Sequence, residues 1–329
     1  MILNDFRMLS LQDWLENDLL LTVISIDAAS SDASFRRYFR IRTPDGSFIV
    51  MDAPPDKENI QPFIHVAELF KRAKVYVPEI YQSHLTEGFL LLEDLGQHCL
   101  LEQLNNDTVD ELYHTALASL FTLQSSVDIQ SAHLPSYDRA LLTQELSLFN
   151  DWFINHYLDA DLAPELWQAV QTELVNSALA QPVCCVHRDY HSRNLMLPPH
   201  APLAMIDFQD AVIGPITYDL VSLLRDCYIV WPEAQVQQWC LHYYQRLVAA
   251  NMVSCSAQEF TRWFDLMGMQ RHLKVMGIFS RLHLRDGKST YLDDLPRTLN
   301  YILQVCSRYP ELAEFHQFLS QSIQPKLCG

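Results

Sequence analysis

The stretch HRDYHSRN at 187–194, followed by IDFQD at 206–210, decides the reading of this 329-residue chain. Its chemically active side chains are Asp189, Asn194 and Asp207. An Asp in a short loop can orient a substrate hydroxyl and accept its proton. An Asn five residues on, and a second Asp after the next apolar run, can hold Mg2+ against nucleotide phosphates. Magnesium favours such oxygen donors. The runs PVCCV at 182–186 and LAMI at 203–206 read as strands, so the loop must turn back between them. Isolated Asp and Asn in loops are more often turn formers or caps. Here an apolar run, the H-x-D-x-x-x-x-N pattern, D-F and then GPITYDL at 214–220 arrive in order, which implies phosphoryl transfer. His187 and His191 do not read as a zinc pair, because no Glu follows as in H-E-x-x-H. His187 reads instead as a residue that packs and hydrogen-bonds to shape the loop.

Composition narrows the classes around that motif. A chain of this length with 49% hydrophobic residues can bury a large core, and its length suggests two lobes. The formal net charge of −17 argues against a nucleic-acid partner, which would require a basic footprint. Eight cysteines without a C-x-x-C pair read as reduced thiols rather than a disulfide framework or a zinc site. Asn4, Asp5 and Arg7 interrupt any apolar leader, and no run approaches the length of a membrane span. The expectation is a soluble, cytoplasmic protein with no membrane association, and nothing in the sequence points to a protein partner.

The pattern along the chain changes once. Ser10 with Asp13 resembles a helix-capping pair, with Leu11, Trp14, Leu15 and Leu19 following at helical spacing. LTVISIDA, FRRYFRIRT and SFIVMDA read as three strands, with a turn at PDG 44–46. A helix over 62–74 follows, then two strands in VPEIYQS and FLLLEDLG. After Gly96 the apolar spacing is helical over 107–126, 139–158 and 164–180, and again near 217–230, 233–250, 257–285 and 310–320. The expected division is a nucleotide-binding lobe at 1–96 and a catalytic and substrate-binding lobe at 97–329.

HRDYHSRN and IDFQDAVIGPITYDL resemble the catalytic loop and metal-binding segment of the aminoglycoside phosphotransferase and choline kinase superfamily. Within it, SDASFRRYFRI (31–41), MDAPPDKE (51–58), QRHLKVMGIFSRL (270–282) and RDGKSTYLDDLPRTLNYI (285–302) are similar to the anomeric kinases of N-acetylmuramate and N-acetylglucosamine. The resemblance covers almost the whole chain. It implies an α+β, protein-kinase-like, two-lobed fold with a small β-rich N-terminal lobe and a larger α-rich C-terminal lobe. It also implies ATP and Mg2+ as cofactors, a small-molecule amino sugar as partner and a sugar 1-phosphate as product, serving cell-wall sugar recycling. Asp189 would be the catalytic Asp, Asn194 and Asp207 the magnesium ligands, and Asp219 a scaffold beneath the loop. Glu93, Asp94 and Leu95 would meet the adenine through main-chain groups.

Two departures from kinase patterns stand out. Ser31, Asp32, Ala33 and Ser34 occupy the phosphate-covering loop without any Gly. The usual third-strand Lys is also missing, with Met51 or Asp52 in its place, which leaves the ion pair of Glu68 in doubt. Strand parity offers a substitute: Arg37 shares a face with Phe35, Phe39 and Ile41, whereas Arg36 and Arg40 point the other way. A cation on an apolar face requires an anion. ATP phosphate is one candidate for Arg37, and a structural salt bridge to Asp32 or Asp52 is the other. A basic stripe at Arg271, Lys274, Arg281 and Arg285 suggests attraction of a substrate carboxylate or of phosphate, against the simpler reading of a solvated helix face. Arg271, His272 and Lys274 are the candidate substrate-binding residues.

A protein kinase is the nearest rival, but GPITYDL begins only seven residues after Asp207 and leaves no room for an activation segment. A choline or aminoglycoside kinase would surround a cation with acids and aromatics, and the basic stripe argues against that. The missing Lys motivates a third alternative, a nucleotide-binding pseudokinase.

Overall fold

The structure, a computed structural model, describes residues 6–31 and 35–328. The chain divides into two compact units, Met1–Cys99 with Leu195–Asp210, and Leu100–Asn194 with Ala211–Gly329.

The first unit is built on one antiparallel sheet. Helix α1 (Phe6–Asp13) runs on through a wider turn at Trp14–Asp18. Strands β1 (Ser25–Ser31), β2 (Arg37–Thr43) and β3 (Gly46–Asp52) follow, then α2 (Gln61–Arg72), β4 (Ile80–His84) and β5 (Phe89–Glu93), in sheet order β1-β2-β3-β5-β4. Helix α1 starts upstream of the expected Ser10 cap, so Ser10 lies inside the helix. Alternation sends Ile41, Val50, Phe89 and Leu91 to one face, where Leu11, Trp14 and Leu15 cover them. The opening helix is thus packing material. Helix α2 turns Phe63 and Phe70 onto Phe208, with ring centroids 4.7 and 5.7 Å apart.

Segment 195–210 rejoins this unit, which a single cut after Gly96 does not foresee. Short strands β7 (Leu195–Met196) and β8 (Ala204–Met205) pair with each other, Met196 bridges Cys99, and the Met205 N–H donates to the Tyr76 carbonyl. Backbone groups of this segment therefore find their partners in the first unit.

The second unit is mainly helical: α3 (Leu100–Gln103), α4 (Val109–Ser126), α5 (Arg139–Leu148), α6 (Pro164–Leu179), α7 (Tyr218–Leu224), α8 (Glu233–Ala249), α9 (Ala257–Asp286), α10 (Leu295–Cys306), α11 (Ala313–Phe318) and α12 (Gln324–Cys328). A two-stranded ladder, β6 (Val183–Val186) with β9 (Val212–Pro215), flanks the loop that carries Asp189. Helix α9 packs against α5, α6, α7, α8 and α10, and eighteen of its residues are buried, which makes it the spine of the unit. Gly277 permits its closest approach to another helix, because a Cβ there would lie 2.3 Å from the Leu148 carbonyl carbon. Three residues earlier on each of these helices, Lys274 and Glu145 form an ion pair. The seven described cysteines are all free, and no helix among the described residues is long and apolar enough to cross a membrane.

Candidate active site

In the second unit the catalytic loop leaves β6 at Val186, and its first turn hangs from one carboxylate. The His187 and Arg188 N–H groups donate to Asp219 Oδ2 and Oδ1 at 2.7 and 3.0 Å. Arg188 stands at φ +76°, a conformation that a bulky residue adopts only when its surroundings enforce it. Asp219 lies in the first turn of α7 and is fully buried. Burial pushes its carboxyl up to about 7, against the two N–H bonds that favour the charged form.

The loop then closes on the backbone of Asp189. Its carbonyl accepts the His191 N–H at 3.0 Å and Asn194 Nδ2 at 3.1 Å. The second bond fixes the Asn194 amide with its oxygen on the opposite end, the end a hard cation takes. His187 is buried, its Nδ1 accepts the Asp189 N–H at 3.3 Å, and its ring meets Tyr190 edge-on. Asp226 fastens the middle of the loop through Ser192 N–H and Oγ at 2.9 and 2.5 Å.

Basic groups surround this loop. Burial opposes the charge of Asp189, but Lys274, His191 and Arg271 outweigh it and hold the carboxyl below its ordinary range. Lys274 Nζ lies 2.9 Å from Glu145 and 3.2 Å from the Tyr218 hydroxyl. Glu145, which sequence reasoning missed, is buried and also pairs with Arg188 and the Tyr137 hydroxyl. Arg271 is 3% exposed. The solvated-face reading therefore fails for Arg271 and Lys274, while Arg285 is exposed and pairs with its neighbour Asp286.

His272 is a correction. It is fully buried, stacks on Tyr301 at 4.8 Å and donates Nε2–H to the Arg225 carbonyl at 2.9 Å, so it packs the helix interior and leaves the substrate-binding set. Burial pushes its pKa down to about 3, although the Arg225 carbonyl works the other way. The unfolded chain takes up a proton near pH 6.5 and the fold resists until about 3, so this residue's contribution to stability is lost as pH falls below 6.5. His272→Phe is expected to flatten the pH dependence of unfolding free energy between pH 6 and 4 by up to about 1.4 kcal/mol per pH unit. Urea titrations at several pH values measure that slope, and equal slopes in the two proteins would contradict the buried neutral imidazole.

In the first unit Asp207 stands at φ +62°, directly after β8, with its Oδ1 accepting from Gln209 Nε2 at 2.7 Å. Arg36 approaches the same oxygen at 3.5 Å. Arg37 faces Asp52 directly across the β2–β3 ladder and bonds it through Nε at 2.8 Å, while Arg7 holds the other oxygen of Asp52. Parity placed Arg37 on the apolar face as expected, and the anion it finds there is Asp52. Arg36, beside Asp207, becomes the candidate for the phosphate role. Arg36→Ala is expected to raise the KM for ATP or lower kcat about tenfold or more, since charged hydrogen bonds contribute about 1.5–3 kcal/mol, whereas Arg37→Ala should mainly lower the melting temperature. ATP kinetics and thermal melts of the two variants, side by side, decide this, and a larger kinetic loss in the Arg37 variant would reverse the assignment.

Glu93 and Asp94 spend their side chains on the fold. Glu93 accepts from the Tyr76 hydroxyl at 2.5 Å. Asp94 takes a bidentate pair from Arg40, at 2.7 and 2.9 Å, and the Gly96 N–H. Leu95 is buried. Glu68 is exposed on α2. Ser31 ends β1, and Asp32, Ala33 and Ser34 lie outside the described residues.

Each unit offers an oxygen donor of the kind magnesium takes. Asp207 offers a partly exposed carboxylate and Asn194 an oriented amide oxygen. Among the described residues no cluster of three or more His, Cys, Asp or Glu that could hold a metal ion is present.

Comparison with known proteins agrees with this architecture. The phosphotransferase enzyme family, APH, matches residues 25–251. An N-acetylmuramate/N-acetylglucosamine kinase of Pseudomonas putida is 45% identical over 97% of this chain and 97% of its own length. One of Pseudomonas aeruginosa is 46% identical over 89% and 87%. The GDP complex of aminoglycoside 2'-phosphotransferase-IIIa superposes with a TM-score of 0.65 at 16% identity, covering 90% of this chain and 99% of that one. The small antiparallel sheet and the larger helical part are those of a protein-kinase-like fold, and the chain belongs to the phosphotransferase enzyme family, acting as a kinase with a hydroxyl acceptor.

Proposed function

We propose that this enzyme transfers the terminal phosphate of ATP to the anomeric hydroxyl of N-acetylmuramate or N-acetylglucosamine, releasing the sugar 1-phosphate and ADP. The observation that carries the substrate class is the near full-length likeness to kinases named for those two sugars. The reaction type rests on the loop held by Asp219.

In this reading Asp189, ionised at neutral pH, accepts a hydrogen bond from the anomeric hydroxyl and takes its proton as the new O–P bond forms and the bond to the bridging oxygen breaks. An anomeric hydroxyl is more acidic than other sugar hydroxyls, so orientation by one carboxylate suffices. Asn194 and Asp207 would be the magnesium ligands, and the ion would supply neutralisation of phosphate charge. Arg36 supplies the cation that the third strand lacks, and the main chain of Glu93 to Leu95 receives the adenine. The 1–96 portion serves the nucleotide and the remainder the acceptor. The reading extends to a cytoplasmic role in recycling cell-wall amino sugars.

A coupled ADP-release assay with N-acetylmuramate, N-acetylglucosamine, glucose, galactose, choline and kanamycin tests the substrate. Turnover is expected with the two N-acetylated sugars and not with their methyl glycosides. Phosphorylation of a methyl glycoside at a comparable rate rules out the anomeric oxygen, and turnover confined to choline or kanamycin overturns the amino-sugar reading.

A further inference from the structure

Three basic side chains bear on the catalytic loop in the second unit, and two of them share a partner. Arg188 and Lys274 both pair with Glu145. Arg271, one turn before Lys274 on α9, does not. It is 3% exposed, makes no hydrogen bond or ion pair among the described residues, and keeps Nη1 buried without an acceptor. Cys227, Tyr218, Asp226 and Asp189 favour its charged form against the cost of burial, and of these Asp226 and Asp189 are the carboxylates. Asp226 is committed to Ser192 and to the Tyr228 N–H, and Asp189 is the group proposed to engage the acceptor hydroxyl. A buried guanidinium with no anion bonded to it is unfavourable, so the buried, unpartnered Nη1 of Arg271 calls for an anion that arrives with the substrate.

Two anions are available to a kinase of these sugars. In the reading above the nucleotide phosphates take Arg36, which stands beside Asp207 in the first unit. Arg271 belongs instead to the unit that carries Asp189. N-acetylmuramate differs from N-acetylglucosamine by a carboxylate, attached through an ether to its third carbon. We propose that Arg271 is a specificity residue that binds this carboxylate, so that the enzyme favours the acidic sugar over the neutral one. The inference rests on the amino-sugar reading above. A planar guanidinium suits the task, since it presents paired N–H donors to the two carboxylate oxygens.

The test measures kcat/KM of the wild type and of Arg271→Met on N-acetylmuramate, its methyl ester and N-acetylglucosamine. Esterification is expected to cost the wild type about 10- to 100-fold, the range of a charge-assisted hydrogen-bond pair. The Arg271→Met enzyme should treat acid and ester alike within about twofold and lose more on N-acetylmuramate than on N-acetylglucosamine, a split set by the carboxylate pairing alone. Its melting temperature should hold or rise, because Met fills the buried space without a charge. Equal use of acid and ester by the wild type overturns the proposal, whether or not the variant folds. So does a variant that loses all three substrates by the same factor, because Arg271 would then serve the loop or the phosphoryl group. A wild type inactive on all three sugars overturns the amino-sugar reading and this inference with it.

Discussion

Replacing Asp189 with alanine is expected to lower kcat by about 10²–10⁴-fold, the usual contribution of a positioned general base, while leaving the melting temperature and nucleotide affinity nearly unchanged. The separation of effects follows from how the loop is held. Its bracing bonds run to Asp219 and to the backbone carbonyl of Asp189, which accepts from His191 and Asn194. Alanine keeps that carbonyl, so the variant loses the carboxylate and little else. The same geometry bears on pH. Lys274, His191 and Arg271 overcome the burial penalty and keep the Asp189 carboxyl below its ordinary range. The active, ionised form is therefore present above that lowered pKa and is lost only as pH falls through it, below the ordinary carboxylate range. An acidic limb in kcat near pH 6 should not move in variants of Asp189's basic neighbours. Steady-state kinetics with a thermal melt measure these effects, and near wild-type turnover in a folded Asp189→Ala protein would refute the role.

The loop was legible in the sequence because its chemistry is local. Asp189 and Asn194 are five apart, and one bond from the Asn194 amide to the Asp189 carbonyl accounts for that spacing. The β-rich first unit was legible for the same reason, since alternation over β2 and the short apolar runs of β3 and β5 mark strands within one segment of chain. Parity even separated Arg37 from Arg36 correctly. What it lacked was the partner across the ladder: Asp52 sits directly opposite Arg37, and pairing register is not written in either strand alone. Helix α10 was passed over although Pro296 at its start, with apolar residues at 295, 299, 302, 303 and 306, carries the signal. The basic stripe split in a way that spacing cannot show. Arg271 and Lys274 face the interior and Arg285 faces water, because α9 is thirty residues long and leaves the core near its C-terminal end.

Glu145 was the residue least open to sequence reasoning, and it is also where the largest stability effect is expected. An acid on an amphipathic helix reads as solvated, and nothing near it in sequence announces Arg188 or Lys274. In the fold it is 5% exposed and neutralises both cations, which pull its carboxyl below the ordinary range against the cost of burial. Glu145→Ala takes that carboxylate away and leaves the Arg188 and Lys274 charges in a largely buried setting. Removing one partner of a buried pair typically costs about 3–5 kcal/mol, far more than the pair is worth against an apolar replacement. Side-chain exposures of 19% for Arg188 and 12% for Lys274 give water some access, so the lower end, about 3 kcal/mol, is expected. Lys274→Met should cost less, because Arg188 still neutralises Glu145. Adding Lys274→Met to a Glu145→Met background should then recover part of the loss, since one stranded cation disappears and the two methionines can pack together. Urea unfolding of Glu145→Met, Lys274→Met and the double variant closes the cycle, with Glu145→Ala measured beside them. A Glu145→Ala loss under about 1 kcal/mol, or single-variant losses that simply add, would mean that the three charges are solvated separately and that Glu145 does not hold α5 and α9 to the catalytic loop.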